Sequence, residues 1–187
     1  MRWDGLFEDI EARWADLGWQ GTVAEAAELT RAEWAGITLA DRLRGARGAE
    51  LRVHLVGGQA LHVRVRTVGR TWFGVDLTGG GSAVVRTAAV AAVEGSLGAA
   101  VPEPAGVAGE IGLAAVLRGV ARSRAAVTVV GLRGDVIVEG TVDRVGADHL
   151  DIARHARDEA RRRGAVRGVL VVPFSAVGLV RGAEGLE

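Results

Sequence analysis

Residues 171–182 have the sequence VVPFSAVGLVRG, and residues 84–95 have the closely similar sequence VVRTAAVAAVEG. In both stretches two apolar runs are separated by a short step of small or polar residues, and both stretches end in glycine. A pattern that recurs within one chain is typical of a duplicated structural unit. The duplication predicts that two similar units follow one another along the chain.

The similarity continues upstream of both copies. ITLADRLRG at residues 37–45 returns as IGLAAVLRG at residues 111–119, and each has leucines four residues apart, as in a short helix. Further on, LRVHLVGGQALHVRVRTVGRTWFGVDL from Leu51 matches TVVGLRGDVIVEGTVDRVGADHLDI from Thr128. The alternation of Leu51, Val53 and Leu55 has the two-residue period of a half-buried strand. Each unit is therefore predicted to be one short helix followed by about five strands.

A helix and five short strands are too few to build an open sheet with both faces covered, whereas a strongly bent, closed sheet hides its edges. Gly140, inside VIVEGTVDRV, favours such a bend, and its counterpart in the first copy is Val63. We therefore predict a mainly β fold with N-terminal helices, in which two tandem five-stranded small barrels of the Sm-like or SH3-like type are each preceded by a short helix. The predicted boundaries are an acidic helical segment at 1–36, a first barrel at 37–95, a linker at 96–109 and a second barrel at 110–183.

The composition limits the class of protein. The chain has 187 residues, of which 49% are hydrophobic, enough for one ordinary core or two small ones. It has no cysteine, which excludes disulfides and thiolate metal sites. No stretch approaches the roughly 18 apolar residues of a membrane span, and the first residues lack an apolar signal region. A cytoplasmic location is expected.

The net charge is zero but unevenly distributed. Residues 1–36 contain three arginines and eight acidic residues, whereas residues 37–95 contain eight arginines and four acidic residues. Neither segment resembles the strongly basic domain of a dedicated nucleic-acid-binding protein. The negative charge of residues 1–36 and the positive charge of residues 37–95 are expected to neutralise each other within the fold or at a dimer contact.

The order of elements in the second unit resembles that of the Sm-like family, which includes Hfq-type and LSm-type small β-barrel proteins. The resemblance covers residues 111–182 and, less sharply, residues 37–95. It implies RNA binding at the pores and rims of a ring, which assembles when the fourth strand of one unit pairs with the fifth strand of its neighbour. The chain also resembles uncharacterised actinobacterial proteins, some labelled Fis-family transcriptional regulators, a label that implies a C-terminal helix-turn-helix where this sequence predicts strands.

The resemblance can be tested on the residues that hold RNA. In Hfq-type proteins the closing strands carry Tyr-Lys-His, which together bind uridine-rich RNA. The matching positions here hold other residues in both units, namely Pro173, Phe174 and Ser175 in the second and Arg86, Thr87 and Ala88 in the first. Among these positions only Arg86 retains a basic side chain.

An arginine-rich insertion, ARHARDEARRRGAVR at residues 153–167, stands between the predicted third and fourth strands, where the first unit has only TGGGS. It either contacts a phosphate backbone or forms a solvated helical extension, in which Asp158 and Glu159 pair with arginines three or four residues away. The candidate nucleic-acid-binding residues are arginines of this insertion and of the first unit: Arg154, Arg157, Arg161, Arg162, Arg163, Arg167, Arg64, Arg66, Arg70 and Arg86.

The N-terminal segment carries an apolar stripe with heptad-like spacing, which is a candidate protein-interaction surface. The stripe consists of Trp3, Phe7, Ile10, Trp14 and Leu17. A capping box at Thr22 and Glu25 begins a second helix. Two arrangements stay open at this point: the helices pack back on the first barrel, or they form a contact between chains.

No pattern typical of catalysis or metal binding is present. His54, His62, His149 and His155 form no HxxxH or HxH pair, and Ser175 has no evident base. We therefore predict no enzyme, no metal, no cofactor, no small-molecule substrate and no membrane partner. The leading hypothesis is an Sm-like module that binds RNA or another nucleic acid. The alternative is a protein-interaction or scaffolding module, a homo-oligomer assembled through the Trp-rich helices and the edge strands of the barrels.

Overall fold

The computed structural model describes residues 33–103, 111–155 and 167–182. The chain divides into two compact units, Met1–Thr38 and Leu39–Glu187; residues 33–36 of the first unit are helical. In the described part of the second unit there are two α-helices and ten strands. They are α1 (Leu39–Gly45), β1 (Glu50–Leu55), β2 (Ala60–Val68), β3 (Trp72–Leu77), β4 (Ser82–Arg86), β5 (Val90–Glu94), α2 (Leu113–Ser123), β6 (Ala126–Gly131), β7 (Val136–Val145), β8 (His149–Arg154), β9 (Val169–Pro173) and β10 (Val177–Gly182).

The strands form one antiparallel sheet in the order β5-β1-β2-β3-β4-β10-β6-β7-β8-β9. The prediction of a mainly β fold is confirmed. The sheet is open and continuous, so two separate closed barrels are not confirmed. We call α1 with β1–β5 the first half and α2 with β6–β10 the second half. Within each half the strands follow the same spatial order: fifth, first, second, third, fourth.

Matching hydrogen bonds accompany this shared order. The Thr87 N–H donates to the Thr71 carbonyl at 3.1 Å, and in the second half the Phe174 N–H donates to the Asp148 carbonyl at 2.7 Å. Each of these bonds lies where a fourth strand leads into a short 3-10 turn, Thr87–Ala89 or Phe174–Ala176. The duplication seen in the sequence is therefore also present in the backbone pairing.

The predicted alternation along β1 is confirmed, because Leu51, Val53 and Leu55 are buried while Arg52 is exposed. In β3 the first four residues, Trp72 to Val75, are all buried. An alternating strand has one face in water, whereas a continuously buried strand is covered on both faces. The second face of β3 is covered by the second half of the chain.

The described residues form two buried clusters, one centred on each half. The first includes Val53 and Phe73 and also takes Val130 and Leu179 from the second half. The second cluster contains side chains of α2 and β6–β10, joined by Trp72 and Val84 from the first half. Each half therefore completes the core of the other.

The halves meet where β4 pairs with β10, which we call the seam. Val84 lies opposite Val180 and Val85 lies opposite Leu179. The side chain of Arg86 crosses this seam, and its Nη1 donates to the Phe174 carbonyl at 2.6 Å. Among the described residues no helix is long and apolar enough to cross a membrane.

Candidate functional site

The predicted arginines of β2 and the following turn are exposed, but each has a carboxylate close by. The pairs are Arg64 with Glu50 at 2.8 Å, Arg66 with Asp76 at 3.3 Å and Arg70 with Glu103 at 3.2 Å. Exposed ion pairs of this kind contribute little to stability, but they offset the positive charge that a phosphate backbone would meet. Arg86 is used differently, since it bridges the two halves through the Phe174 carbonyl.

The arginine-rich insertion is described only at its base. Arg154 and Arg167 have exposed side chains, and the Arg167 N–H donates to the Arg154 carbonyl at 2.8 Å. Ala153 and Arg154, the first two residues of the predicted insertion, belong to β8, so the segment between β8 and β9 begins at His155 and not at residue 153. Arg157, Arg161, Arg162 and Arg163 lie outside the described residues, and so do all members of the N-terminal apolar stripe: Trp3, Phe7, Ile10, Trp14 and Leu17.

Four other arginines come together where no sequence motif marked them. A shallow depression of about 520 Å³ is bordered by Arg118, Arg122, Arg124 and Arg144, with the carboxylate of Asp143 among them. Arg124 pairs with Asp143 at 3.2 Å. The C-terminal end of α2 attracts cations because its last carbonyl groups carry partial negative charge. We call these four residues the arginine patch.

A second concave surface, of about 720 Å³, lies at the seam and is lined by both halves. Trp72 and Val84 contribute from the first half, and Val116, Val120 and Val180 contribute from the second half. Its polar lining includes Arg66, Asp76, Arg122 and Ser123. We call it the seam groove. An apolar lining with a few polar groups is typical of surfaces that hold a ligand or a chain segment.

Trp72 anchors the wall of the seam groove. It is 4% exposed, and its Nε1 donates to the Ile111 carbonyl at 2.8 Å. A buried indole needs such an acceptor because an unpaired buried N–H is costly. This one side chain of β3 therefore ties the first half to the segment that leads into α2.

The two edges of the sheet, β5 and β9, are the counterparts of the two strands that meet at the seam. The alignment of residues 84–95 with 171–182 pairs Val84 of β4 with Val171 of β9. Val84 is 2% exposed, whereas Val171 is 58% exposed. The position two residues earlier shows the same contrast, since Ser82 is 3% exposed and Val169 is 58% exposed. The surface of β9 is therefore exposed, whereas the matching surface of β4 is buried at the seam.

The opposite edge shows the complementary difference. Four residues of β10, Val177 to Val180, are buried, whereas no residue of the corresponding strand β5 is buried. The helices differ in the same way, because Leu113 of α2 is 8% exposed and its counterpart Leu39 of α1 is 37% exposed. The surface of β5 and α1 in the first half is thus exposed, whereas the matching surface of β10 and α2 in the second half is buried.

The histidines do not form a metal centre among the described residues, where no three His, Asp or Glu side chains converge. His149 hydrogen-bonds through Nδ1 to Asp148 Oδ1 at 2.8 Å, and this bond lowers the pKa of Asp148 below its usual value. His155 is buried and pairs its Nε2 with Thr141 Oγ1 at 2.7 Å. The buried His155–Thr141 contact links the residue after β8 to β7.

Comparison of the chain with protein-family models, with curated proteins and with solved structures yields no match. The seam groove and the arginine patch could not be found from sequence motifs, because each joins residues from elements distant in the chain. The helix predicted at 111–119 ends before Arg122, whereas the observed helix continues to Ser123 and carries both Arg118 and Arg122. Their spacing of four residues is the one signal in the sequence that could have indicated part of the patch.

Proposed function

We propose that the chain is a non-enzymatic assembly module whose copies join edge to edge into a homo-oligomer. In this proposal β9 of one chain pairs with β5 of the next, and each half acts as one Sm-like unit of the assembly. The contrast between seam and edges supports it most directly: Val84 is 2% exposed at the seam, and its counterpart Val171 is 58% exposed at the edge. The seam is thus a template for the contact between chains.

The backbone of β9 is suited to such pairing. The Arg154 N–H donates to the Gly168 carbonyl, and the Phe174 N–H donates to the Asp148 carbonyl, so the even-numbered residues of this segment point their polar groups toward β8. Because these groups alternate in direction along an antiparallel strand, those of Val169 and Val171 point toward the open edge. A row of unpaired edge groups is a template for another strand.

The seam also supplies the expected register. Val84 lies opposite Val180, and Val85 lies opposite Leu179. Transferred to the edges by the internal alignment, Val171 of one chain lies opposite Val93 of the next, and Val172 lies opposite Ala92. The largely apolar β5 strand VAAVE has one charged residue, Glu94, and so offers little of the charge that proteins place on edges to prevent pairing.

Placing lysines on the β9 edge is expected to disrupt assembly. In Val169→Lys/Val171→Lys, two charges would have to be desolvated when the edges pair, so the variant should have the mass of a single chain while the parent chain is oligomeric. The measurement is light scattering after size-exclusion chromatography over a range of protein concentrations. Val56→Lys/Val136→Lys is a matched control, since both of its valines are 59% exposed and neither lies on an edge strand.

A second pair of variants tests the register. Val171→Pro removes an N–H from the open edge but none from the β8–β9 pairing, so it should abolish assembly and keep the fold. Because the chain has no cysteine, Val93→Cys/Val171→Cys reports on the contact directly through disulfide-linked chains. A parent chain that stays monomeric at all concentrations, or lysine variants that assemble like the control, would contradict the proposal.

Nucleic-acid binding is the second candidate function, and the arginine patch supports it. Among the described residues, four guanidinium groups border one depression, and Asp143 supplies the one carboxylate beside them. The patch belongs to the half that also carries the arginine-rich insertion, so both would present positive charge from the same half. The role of Arg157, Arg161, Arg162 and Arg163 in such binding stays a prediction, and so does the interaction role of the N-terminal stripe.

Removing the patch is expected to weaken binding of single-stranded RNA. For Arg118→Ala/Arg122→Ala/Arg144→Ala, the loss of three phosphate contacts should lower the slope of log affinity against log salt by about 2. Fluorescence anisotropy of a labelled oligonucleotide at several salt concentrations measures this slope. Arg47→Ala/Arg52→Ala/Arg133→Ala removes equal charge outside the patch and should change the slope little. If only Arg161→Ala/Arg162→Ala/Arg163→Ala reduces binding, the insertion and not the patch holds the RNA.

A further inference from the structure

A contact between two hairpin turns accompanies the pairing of β4 with β10 at the seam. The first turn, residues 56–59, joins β1 to β2, and the second turn, residues 132–135, joins β6 to β7. Gln59 Nε2 of the first turn donates to the Gly134 carbonyl at 2.9 Å. The two backbones lie so close that a Cβ added at Gly57 would overlap the peptide bond between Arg133 and Gly134. Glycine at position 57 therefore permits this contact.

The two turns have the same backbone structure, so their residues can be matched. In each turn, the N–H of the residue before the turn donates to the carbonyl of the fourth turn residue at 2.8 Å. The third residue of each turn is a glycine in the left-handed conformation, with a φ of 83° in the first turn and 85° in the second. Gln59 therefore matches Asp135, and Gly57 matches Arg133. Because β7 is one residue longer than β2, this match is compatible with the sequence alignment further along these strands.

Arg86 adds a further contact across the seam. Its Nη1 donates to the Phe174 carbonyl at 2.6 Å and to the Val177 carbonyl at 3.4 Å. Its counterpart at the end of β9 is Pro173, whose φ of −64° and ψ of 142° are close to the φ of −80° and ψ of 136° of Arg86. Proline carries no guanidinium group and has no N–H to donate at the open edge. Proline on an edge strand is one of the features with which proteins limit strand pairing.

At the contact between chains, the second half takes the place that the first half has at the seam. The second turn of one chain then meets the first turn of the next chain. Arg133 would stand where the seam requires a glycine, so its Cβ would overlap the peptide bond between Gly57 and Gly58 of the next chain. Asp135 would direct a carboxylate, which cannot donate a hydrogen bond, at the Gly58 carbonyl. The turns of neighbouring chains therefore cannot approach each other as closely as the turns at the seam.

We propose that the contact between chains is reversible in solution, and that Arg133, Asp135 and Pro173 keep it weaker than the seam. The pairing of β9 with β5 retains the strand register of the seam, but it lacks the turn contact and the hydrogen bonds of an arginine. Chains therefore exchange between oligomers, while the two halves of one chain stay together. This inference rests on the proposed assembly and specifies what limits its strength.

Giving the second half the residues of the first should strengthen the contact between chains. The triple variant Arg133→Gly/Asp135→Gln/Pro173→Arg supplies the glycine and the hydrogen-bond donors that the seam has. It should lower the protein concentration at which the oligomers dissociate by at least ~10-fold. Native mass spectrometry over a dilution series measures this concentration. Arg70→Gly/Pro102→Arg is a matched control that should dissociate like the parent chain, since it makes two of the same replacements at exposed positions outside β5, β9 and both turns.

The rate of chain exchange gives an independent measurement. When isotope-labelled and unlabelled chains are mixed, mixed oligomers of the triple variant should appear at least ~10-fold more slowly than those of the parent, because differences in affinity lie mostly in the dissociation rate. Circular dichroism checks that each chain folds. Pro173→Arg alone should change both measurements in the same direction, because Pro173 is exposed and its backbone angles suit arginine.

The possible outcomes separate this inference from the proposed assembly. An oligomeric parent that dissociates at no higher concentration and exchanges no faster than the triple variant would overturn the inference and leave the assembly standing. If neither chain forms oligomers at any concentration, both proposals are wrong. Assembly of the triple variant alone would support the limiting role of the three residues, but it would contradict assembly of the natural chain.

Discussion

Replacing Gly140 by alanine is expected to destabilise the protein by about 3 kcal/mol or more. Gly140 lies within β7, paired with Arg154 of β8, and a Cβ added there would overlap the Ala153 carbonyl. The obstructing atom belongs to the backbone of a paired strand, so relief of the overlap must break strand pairing. The corresponding residue of the first half, Val63, is 1% exposed and carries a full side chain in the core. The two halves therefore accommodate the same strand position differently.

Urea unfolding followed by circular dichroism measures this effect, and the midpoint of thermal unfolding should fall by roughly 6–12 °C. Gly79→Ala is the matched control, because a Cβ at Gly79 meets no described atom within 4 Å. The control should change the free energy of unfolding by at most ~0.5 kcal/mol. Equal stability of the Gly140→Ala and Gly79→Ala variants would show that β7 and β8 are not packed this closely.

Replacing Trp72 by alanine is expected to loosen the attachment of the two halves and to lower the free energy of unfolding by about 3–5 kcal/mol. The indole lies on β3 of the first half but belongs to the buried cluster of the second half. Its removal leaves a cavity against α2 and leaves the Ile111 carbonyl without the donor it has at 2.8 Å. Trp72→Phe should retain most of the packing and lose about 1 kcal/mol for the hydrogen bond.

Hydrogen exchange distinguishes loosening at the seam from a general loss of stability. In Trp72→Ala, the amide groups of α2 and β10 should exchange faster than those of β1 and β2, because local opening begins where contacts were lost. Trp34→Ala serves as a control at a tryptophan that is 57% exposed and should stay within ~0.5 kcal/mol of the parent. Uniform exchange across both halves would contradict a specific role of Trp72 at the seam.

Much of the local structure could be predicted from the sequence. The alternation of Leu51, Val53 and Leu55 predicted β1, and the repeat predicted two sets of five strands, each preceded by a helix. The position of the arginine-rich insertion between two strands was predicted from the shorter loop TGGGS of the first half. These features depend on residues near one another in the chain, where side-chain period and turn chemistry act directly.

The seam could not be predicted from one strand at a time. The local sequence around Trp72 and Val84 shows only that each is an apolar residue of a strand. Their position in the wall of a groove arises from packing against α2. The arginine patch has the same origin, since Arg144 comes from β7 and the other three arginines come from or follow α2. Side chains from separate elements converge only when long-range contacts form.

By itself, the sequence determined that two related units occur in tandem, because apolar spacing, glycine positions and turn residues are properties of short segments. Only the tertiary structure decided that the units share one open sheet, joined where β4 meets β10. Strands that are far apart in the sequence pair where both can bury apolar surface. Pairing at the seam buries Val84, whereas its counterpart Val171 stays exposed at the edge of the sheet.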